Sequence, residues 1–193
     1  LAVAAGVIAA MAKPKEETAE VLTETTEIAP PTEEEQIRDA LVLDDLELEI
    51  GYGLIPMVDE NRGGELLARI RATRRQLAAE LGFIIPLIHI RDNLDLPEGG
   101  YSIRVRGEHV AGDEIPQGRA LAISPGDDAE EVPGIQTRDP AFGLPARWIE
   151  ERDRDRASTA GYAVVDASTA LSTHLSEVVR SHSPELLTRQ RVQ

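Results

Sequence analysis

The sequence predicts an α+β fold in two lobes, on three observations. Apolar residues alternate with period two in some segments and recur at helical spacing in others. These segments follow one another without a regular strand–helix–strand repeat, and no internal repeat links them. The chain also changes character at Leu46, from an acidic, proline-bearing stretch to a patterned body. The expected body is two-lobed, a mixed-sheet first subdomain with a smaller α/β subdomain inserted, preceded by a disordered acidic linker.

Taken in order, LELEI sets Leu46, Leu48 and Ile50 against Glu47 and Glu49, which predicts a strand buried on one face. GYGLIP breaks it. Leu66, Leu67, Ile70, Leu77, Ala78 and Leu81 then recur at helical spacing up to Gly82, a residue suited to end a helix. IIPLIHI reads as a short apolar strand. YSIRVRG alternates again and predicts a hairpin with EHVAGDEI, turning at Gly107. RALAIS is a further strand ended by PGDD. Residues 126–146 read as a loop, followed by a short strand near Arg147–Ile149 and a charged helix across EERDRDRASTAG. YAVV predicts a buried strand. Asp166 or Ser168 can cap a helix through TALSTHLSEVVRSH, and SPELLTRQ starts another with Pro184 in its first turn. The expected organisation is 46–115 with 167–193 as the first subdomain and 116–166 as the insertion.

Composition narrows the chemistry. The chain has 193 residues, a formal net charge of −15, 41% hydrophobic residues and no cysteine. Disulfides, thiolate metal sites and cysteine nucleophiles are therefore excluded. Acidic residues outnumber basic ones 35 to 20, which argues against a nucleic-acid partner, since such binding rests on cations neutralising phosphates. Residues 13–45 hold eleven Asp/Glu against Lys13, Lys15 and Arg38, and read as a flexible acidic linker. Lys13 and Lys15 are the only lysines, so the body offers no Schiff-base or phosphate-loop lysine. Before them, LAVAAGVIAAMA is apolar but short of the ~20 residues that span a bilayer. It reads either as an apolar tail or as the end of a transmembrane helix cut at residue 12.

Catalytic motifs are sparse. No G-x-S-x-G, P-loop or G-x-G-x-x-G occurs. His174, Glu177 and His182, at helical spacing, are the one set that points towards metal-assisted hydrolysis, and they lack an evident further ligand. The expected catalytic and metal-binding sets are otherwise empty, and no cofactor is implied. TRDPAFGLPARWI stands out instead. It holds Phe142 and Trp148 in a chain with two Phe and one Trp, on a segment broken by Pro140, Gly143 and Pro145. Trp148 falls in the better strand candidate and is expected to pack. Phe142 reads either as a local plug or as an exposed anchor for a partner.

Five blocks carry a family resemblance: ELEIGYGLIPMVD, GGELLARIRATRRQLAAELGFIIP, IHIRDNLDLP, RDPAFGLPARWI and VVDASTALSTHL. Together they resemble the flagellar members of the FHIPEP family of type III secretion export-gate proteins, from about Leu46 to the end. The resemblance implies the cytoplasmic region of a bacterial inner-membrane export gate without catalytic activity of its own. It implies that 1–12 ends the last transmembrane helix. It also implies a homo-oligomeric (nonameric) ring in the full-length protein, and partners that include flagellar export chaperones with bound late substrates and the export ATPase complex. By motif, the family's chaperone-docking residues fall on Asp139, Phe142 and Thr173, with Asp139 as a charged rim. A family glycine near the hinge between the lobes falls on Gly51.

Overall fold

Residues 44–126 and 131–187 are described by the structure, a computed structural model. The predicted transmembrane end at 1–12, the linker up to residue 43 and the tail from 188 lie outside the described residues. No helix among the described residues is long and apolar enough to cross a membrane.

The first alternating segment forms β1 (Leu46–Ile50), with Leu46, Leu48 and Ile50 buried and the glutamates between them half-buried. A short 3-10 turn and helix α1 (Ile55–Val58) follow, then α2 (Leu66–Leu81), which buries Leu66, Ile70 and Leu77. Helix α2 ends at Gly82 in the left-handed region, φ 75°, where a side chain would be strained. The chain returns as β2 (Ile88–Asp92), parallel to β1, so α2 is the crossover of a single βαβ unit. β3 (Gly100–Val105) and β4 (Glu108–Glu114) form the expected hairpin. Arg106 and Gly107 both have positive φ, the two-residue geometry that matches strand twist. The first sheet is ordered β2-β1-β3-β4.

The second sheet is ordered β6-β7-β5-β8, from β5 (Arg119–Ile123), β6 (Ile135–Arg138), β7 (Pro145–Glu150) and β8 (Ala163–Val165). Helix α3 (Arg154–Thr159) lies between β7 and β8 in the chain. Helix α4 (Ala167–Ser181) packs on both α2 and β5, and α5 (Ser183–Leu187) follows. The α+β class with two sheets is the one the sequence predicts.

Three elements differ from expectation. The segment read as a loop contains β6, whose exposed side chains show no alternation and which is held by pairing with β7. The apolar run before β2 is not a strand: Ile84 and Leu87 are exposed at 74% and 64%, around Pro86, which has no N–H for a ladder. β8 is also only half-buried, as suits its place at the sheet edge.

Alternation in the second sheet sorts its side chains between two cores. Leu121, Ala146 and Trp148 join the large core of the first sheet, α2 and α4, while Ala120, Ala122 and Ile149 pack with Val132, Ala157 and Tyr162 on the other face. Trp148, only 3% exposed, therefore packs as the sequence suggests. Polar ties reinforce the assembly. Asp166 caps α4 by accepting from the Thr169 N–H at 2.8 Å and also meets Arg69 of α2 at 3.1 Å. Burial pushes the Asp166 carboxyl up, but the Thr169 N–H and hydroxyl together with Arg69 outweigh it and hold the group below its ordinary range.

Gly51 sits at the end of β1, its N–H donating to the Gly100 carbonyl at 2.7 Å. A Cβ there would be driven into the Pro97 and Glu98 carbonyl oxygens, backbone atoms that cannot swing away. Gly51→Ala is therefore expected to destabilise the fold by about 1–3 kcal/mol, the usual cost of overpacking, read by urea denaturation. A wild-type midpoint would mean that the Pro97–Glu98 segment yields freely.

Candidate functional site

The segment 139–144 is the turn of the β6–β7 hairpin, whose last ladder pair is Arg138 with Pro145. Its geometry follows from Asp-Pro. Pro140 supplies no N–H, and Asp139 folds back over the turn, its Oδ2 accepting from the Phe142 N–H at 2.8 Å. The Gly143 N–H donates to the Asp139 carbonyl and the Asp139 N–H to the Leu144 carbonyl, both at 2.8 Å. Gly143 takes φ +68° to close the loop, and Arg138 donates to its carbonyl at 2.8 Å. Four hydrogen bonds in seven residues, Arg138 to Leu144, make this a defined turn rather than a loose loop.

Asp139 is only 3% exposed, so it lies under the turn instead of on its rim. Phe142 points the other way, 59% exposed, with Leu144 at 46% and Ile135 of β6 at 49%. Phe142 is thus no plug of a local core: a chain with 3% aromatic residues leaves one of its two phenylalanines in solvent. Thr173 is half-buried on α4 and donates its hydroxyl to the Thr169 carbonyl at 2.8 Å.

The next residue, His174, is buried and shares a 2.7 Å hydrogen bond with the buried Tyr101 hydroxyl of β3 through Nδ1. Their rings meet edge-on, centroids 5.8 Å apart. Burial pushes the Tyr101 hydroxyl far up, and the charges of Asp113 and Asp139 push it further. Tyr101 therefore keeps its proton beside the imidazole. Burial pushes the His174 pKa down, against the opposing pull of the same two carboxylates. The β7 strand that follows the turn shares a core with this helix, Ala146 and Trp148 packing in the same cluster as Leu171 and Leu175.

The hydrolase set does not assemble. His174 is engaged by Tyr101, Glu177 pairs with Arg180, and His182 Nδ1 lies 2.9 Å from the Val178 carbonyl oxygen. Among the described residues no three His, Asp or Glu side chains are grouped to hold a metal ion. Sequence reasoning missed Tyr101 as a polar partner and Leu144 as exposed bulk. Tyr101 was legible only as an inward position of an alternating strand, and nothing in a sequence pairs it with a residue 73 positions away.

The profile of the FHIPEP family matches residues 1–193. The flagellar biosynthesis protein FlhA of Bacillus subtilis is 43% identical over 190 residues, 98% of this chain and 28% of that protein. The chain thus spans little more than a quarter of that relative's length. Among solved structures, the Chlamydia pneumoniae CdsV and CdsO complex aligns with a TM-score of 0.66 at 23% identity, over 78% of this chain and 48% of the other. The nonameric EPEC SctV-C aligns at 0.50 and 16%, over 75% and 41%. At these identities the structural likeness is one of fold.

Asp139→Ala removes the acceptor of the Phe142 N–H, and is expected to cost about 1–3 kcal/mol, the range for a buried partner left unsatisfied. Asp139→Asn, which keeps an acceptor oxygen, should retain most of the stability in thermal unfolding. Equal losses in both variants would contradict the capping role.

Proposed function

The chain belongs to the FHIPEP family, and on that premise we propose that it is the cytoplasmic docking region of a flagellar type III protein export gate. In this reading it receives export chaperones carrying late substrates ahead of translocation across the inner membrane. The observation that carries the proposal is Phe142, an exposed aromatic on a turn whose backbone is fixed by four hydrogen bonds. An anchor held in this way loses little freedom on binding, and binding energy concentrates on such residues.

The docking surface we propose joins the Phe142 tip to the α4 face around Thr173. Phe142 and Leu144 would provide apolar contact, and Thr173 a small side chain that admits a close approach. Asp139 acts from beneath, by holding the turn. We propose that Gly51 permits the close packing of β1 against Pro97–Glu98 on which the relation of the lobes depends, with subdomains at 46–115 plus 167–193 and at 116–166. The CdsV and CdsO complex and the nonameric SctV-C motivate two further proposals: contact with a further protein of the export apparatus, and a homo-oligomeric ring formed by the full-length protein; contact with the export ATPase complex is proposed on the family resemblance alone. The acidic balance of the chain fits protein partners better than nucleic acid.

Calorimetry with the same organism's flagellar export chaperones, each loaded with its filament-type substrate, tests the reading. Phe142→Ala is expected to weaken binding by about 1–3 kcal/mol, as for an anchor residue. Its urea midpoint should stay at the wild-type value, because the side chain is exposed. Unchanged affinity, or loss of the fold, would sink the assignment.

A further inference from the structure

The two sheets end in four outer strands, β2, β4, β6 and β8, and β6 is the least guarded of them. Unpaired strand edges are normally blunted by charge, bulges, proline or brevity. β4 carries Glu108, Asp113 and Glu114 and a register irregularity opposite Ile103 and Arg104. β2 has His89 and Arg91 tied to Asp44, and β8 is three residues long. β6 is short, at four residues, but holds no proline, no acidic residue and no register break. It leads directly into the Phe142 turn.

The ladder identifies the backbone groups left over. The Asp139 N–H donates to the Leu144 carbonyl, and the next residue of β7, Pro145, turns its carbonyl away to the Ser124 N–H at 2.8 Å. Bonding alternates along an antiparallel pair. Ile135 and Thr137 therefore bond β7, while Gln136 and Arg138 direct N–H and C=O to the open edge. Among the described residues no strand pairs there. The Thr137 hydroxyl reaches the Arg138 carbonyl only at 3.4 Å.

The side chains sort by the same register. Ile135 and Thr137 stand opposite Trp148 and Ala146, on the face that packs in the core with Leu171 and Leu175 of α4. Ile135 is nonetheless 49% exposed. Gln136 and Arg138 share the other face with Arg147 and Pro145. Arg147 is paired there with Glu131, whereas Arg138 meets no carboxylate among the described residues and uses one N–H on the Gly143 carbonyl. A guanidinium has five N–H donors, so most of its capacity is free.

We propose that β6 takes up an extended segment of the partner that docks on Phe142, as a fifth strand of the second sheet. The segment alternates apolar residues, beside Ile135, with acidic ones, beside Arg138. Main-chain bonds to Gln136 and Arg138 supply affinity, and the two rows of side chains supply selectivity. A chain of net charge −15 repels an acidic segment unless a cation meets it locally, and Arg138 is that cation. The partner's identity rests on the docking reading above; the open edge does not.

Amide hydrogen exchange of the 193-residue chain, with and without a substrate-loaded flagellar export chaperone, reads the new bonds directly. At saturation, exchange at Gln136 and Arg138 is expected to slow about tenfold, while Ile135 and Thr137, already bonded to β7, change little. Gln136→Pro removes an outward N–H that the hairpin does not use. It should keep the wild-type urea midpoint and weaken chaperone binding about tenfold. Arg138→Glu should weaken binding by about the same factor, less so at high salt, and Arg138→Lys should retain most of it. If Gln136→Pro does not fold, the wild-type exchange result decides. Binding that depends on Phe142 but leaves the Gln136 and Arg138 amides exchanging freely would overturn strand addition and leave the docking reading intact. Slowing that grows with chain concentration, without chaperone, would assign the edge to a second copy and overturn the proposal. Absence of any chaperone binding would overturn both readings.

Discussion

Everything in this structure depends on helix α4 having two sides to bury. Leu171, Leu175 and Val179 are at most 1% exposed, with Ala170, Ser172, His174 and Val178 also buried. The helix packs against α2 and against β5, so each sheet finds part of its core on the same rod. At roughly 1.5–3 kcal/mol for each fully buried large aliphatic, these three residues alone outweigh any single polar tie around them. Leu121 and Trp148 complete the join from the second sheet by entering the first sheet's core. A helix so constrained holds Thr173 and His174 on the rod that carries both sheets.

The turn itself resolves a conflict between exposure and order. Apolar surface in water is unfavourable, and Phe142 and Leu144 gain nothing from it in the isolated chain. Their exposure is tolerated because the backbone beneath them is satisfied without their help: Asp139, Gly143 and the ladder pair Arg138–Pro145 close the loop. Fold stability and surface chemistry are thereby separated, so the tip can change without unfolding the hairpin. Asp139 belongs to the fold and Phe142 to the surface, although they lie three residues apart.

Much of this was legible in the sequence, where local pattern and tertiary context agreed. β1, α2, the β3–β4 hairpin and α4 all follow from apolar spacing and from Gly82, Gly107 and Asp166. β6 was not legible, because IQTR carries no alternation and its strand character comes from pairing with β7. Ile84 and Leu87 misled for the opposite reason: hydrophobicity suggested a strand that Pro86 interrupts. Phe142 stood out through its rarity, and the proline and glycine around it announced a turn. The inward direction of Asp139 was harder to see, since Asp-Pro serves equally at an exposed bend and over a capped one. The Tyr101–His174 contact joins elements from opposite ends of the body, and only the fold brings them together.

The central claim is that docking occurs on one face, defined by the 139–144 turn and the Thr173 side of α4. Chemical-shift mapping by NMR tests it most directly, with the 193-residue chain labelled and a substrate-loaded flagellar export chaperone added. Perturbations confined to the backbone amides of 136–144 and the neighbourhood of Thr173 are the predicted result, with the exposed Ile84 and Leu87 unaffected. Perturbations centred on Ile84 and Leu87, with the turn unchanged, would contradict the account.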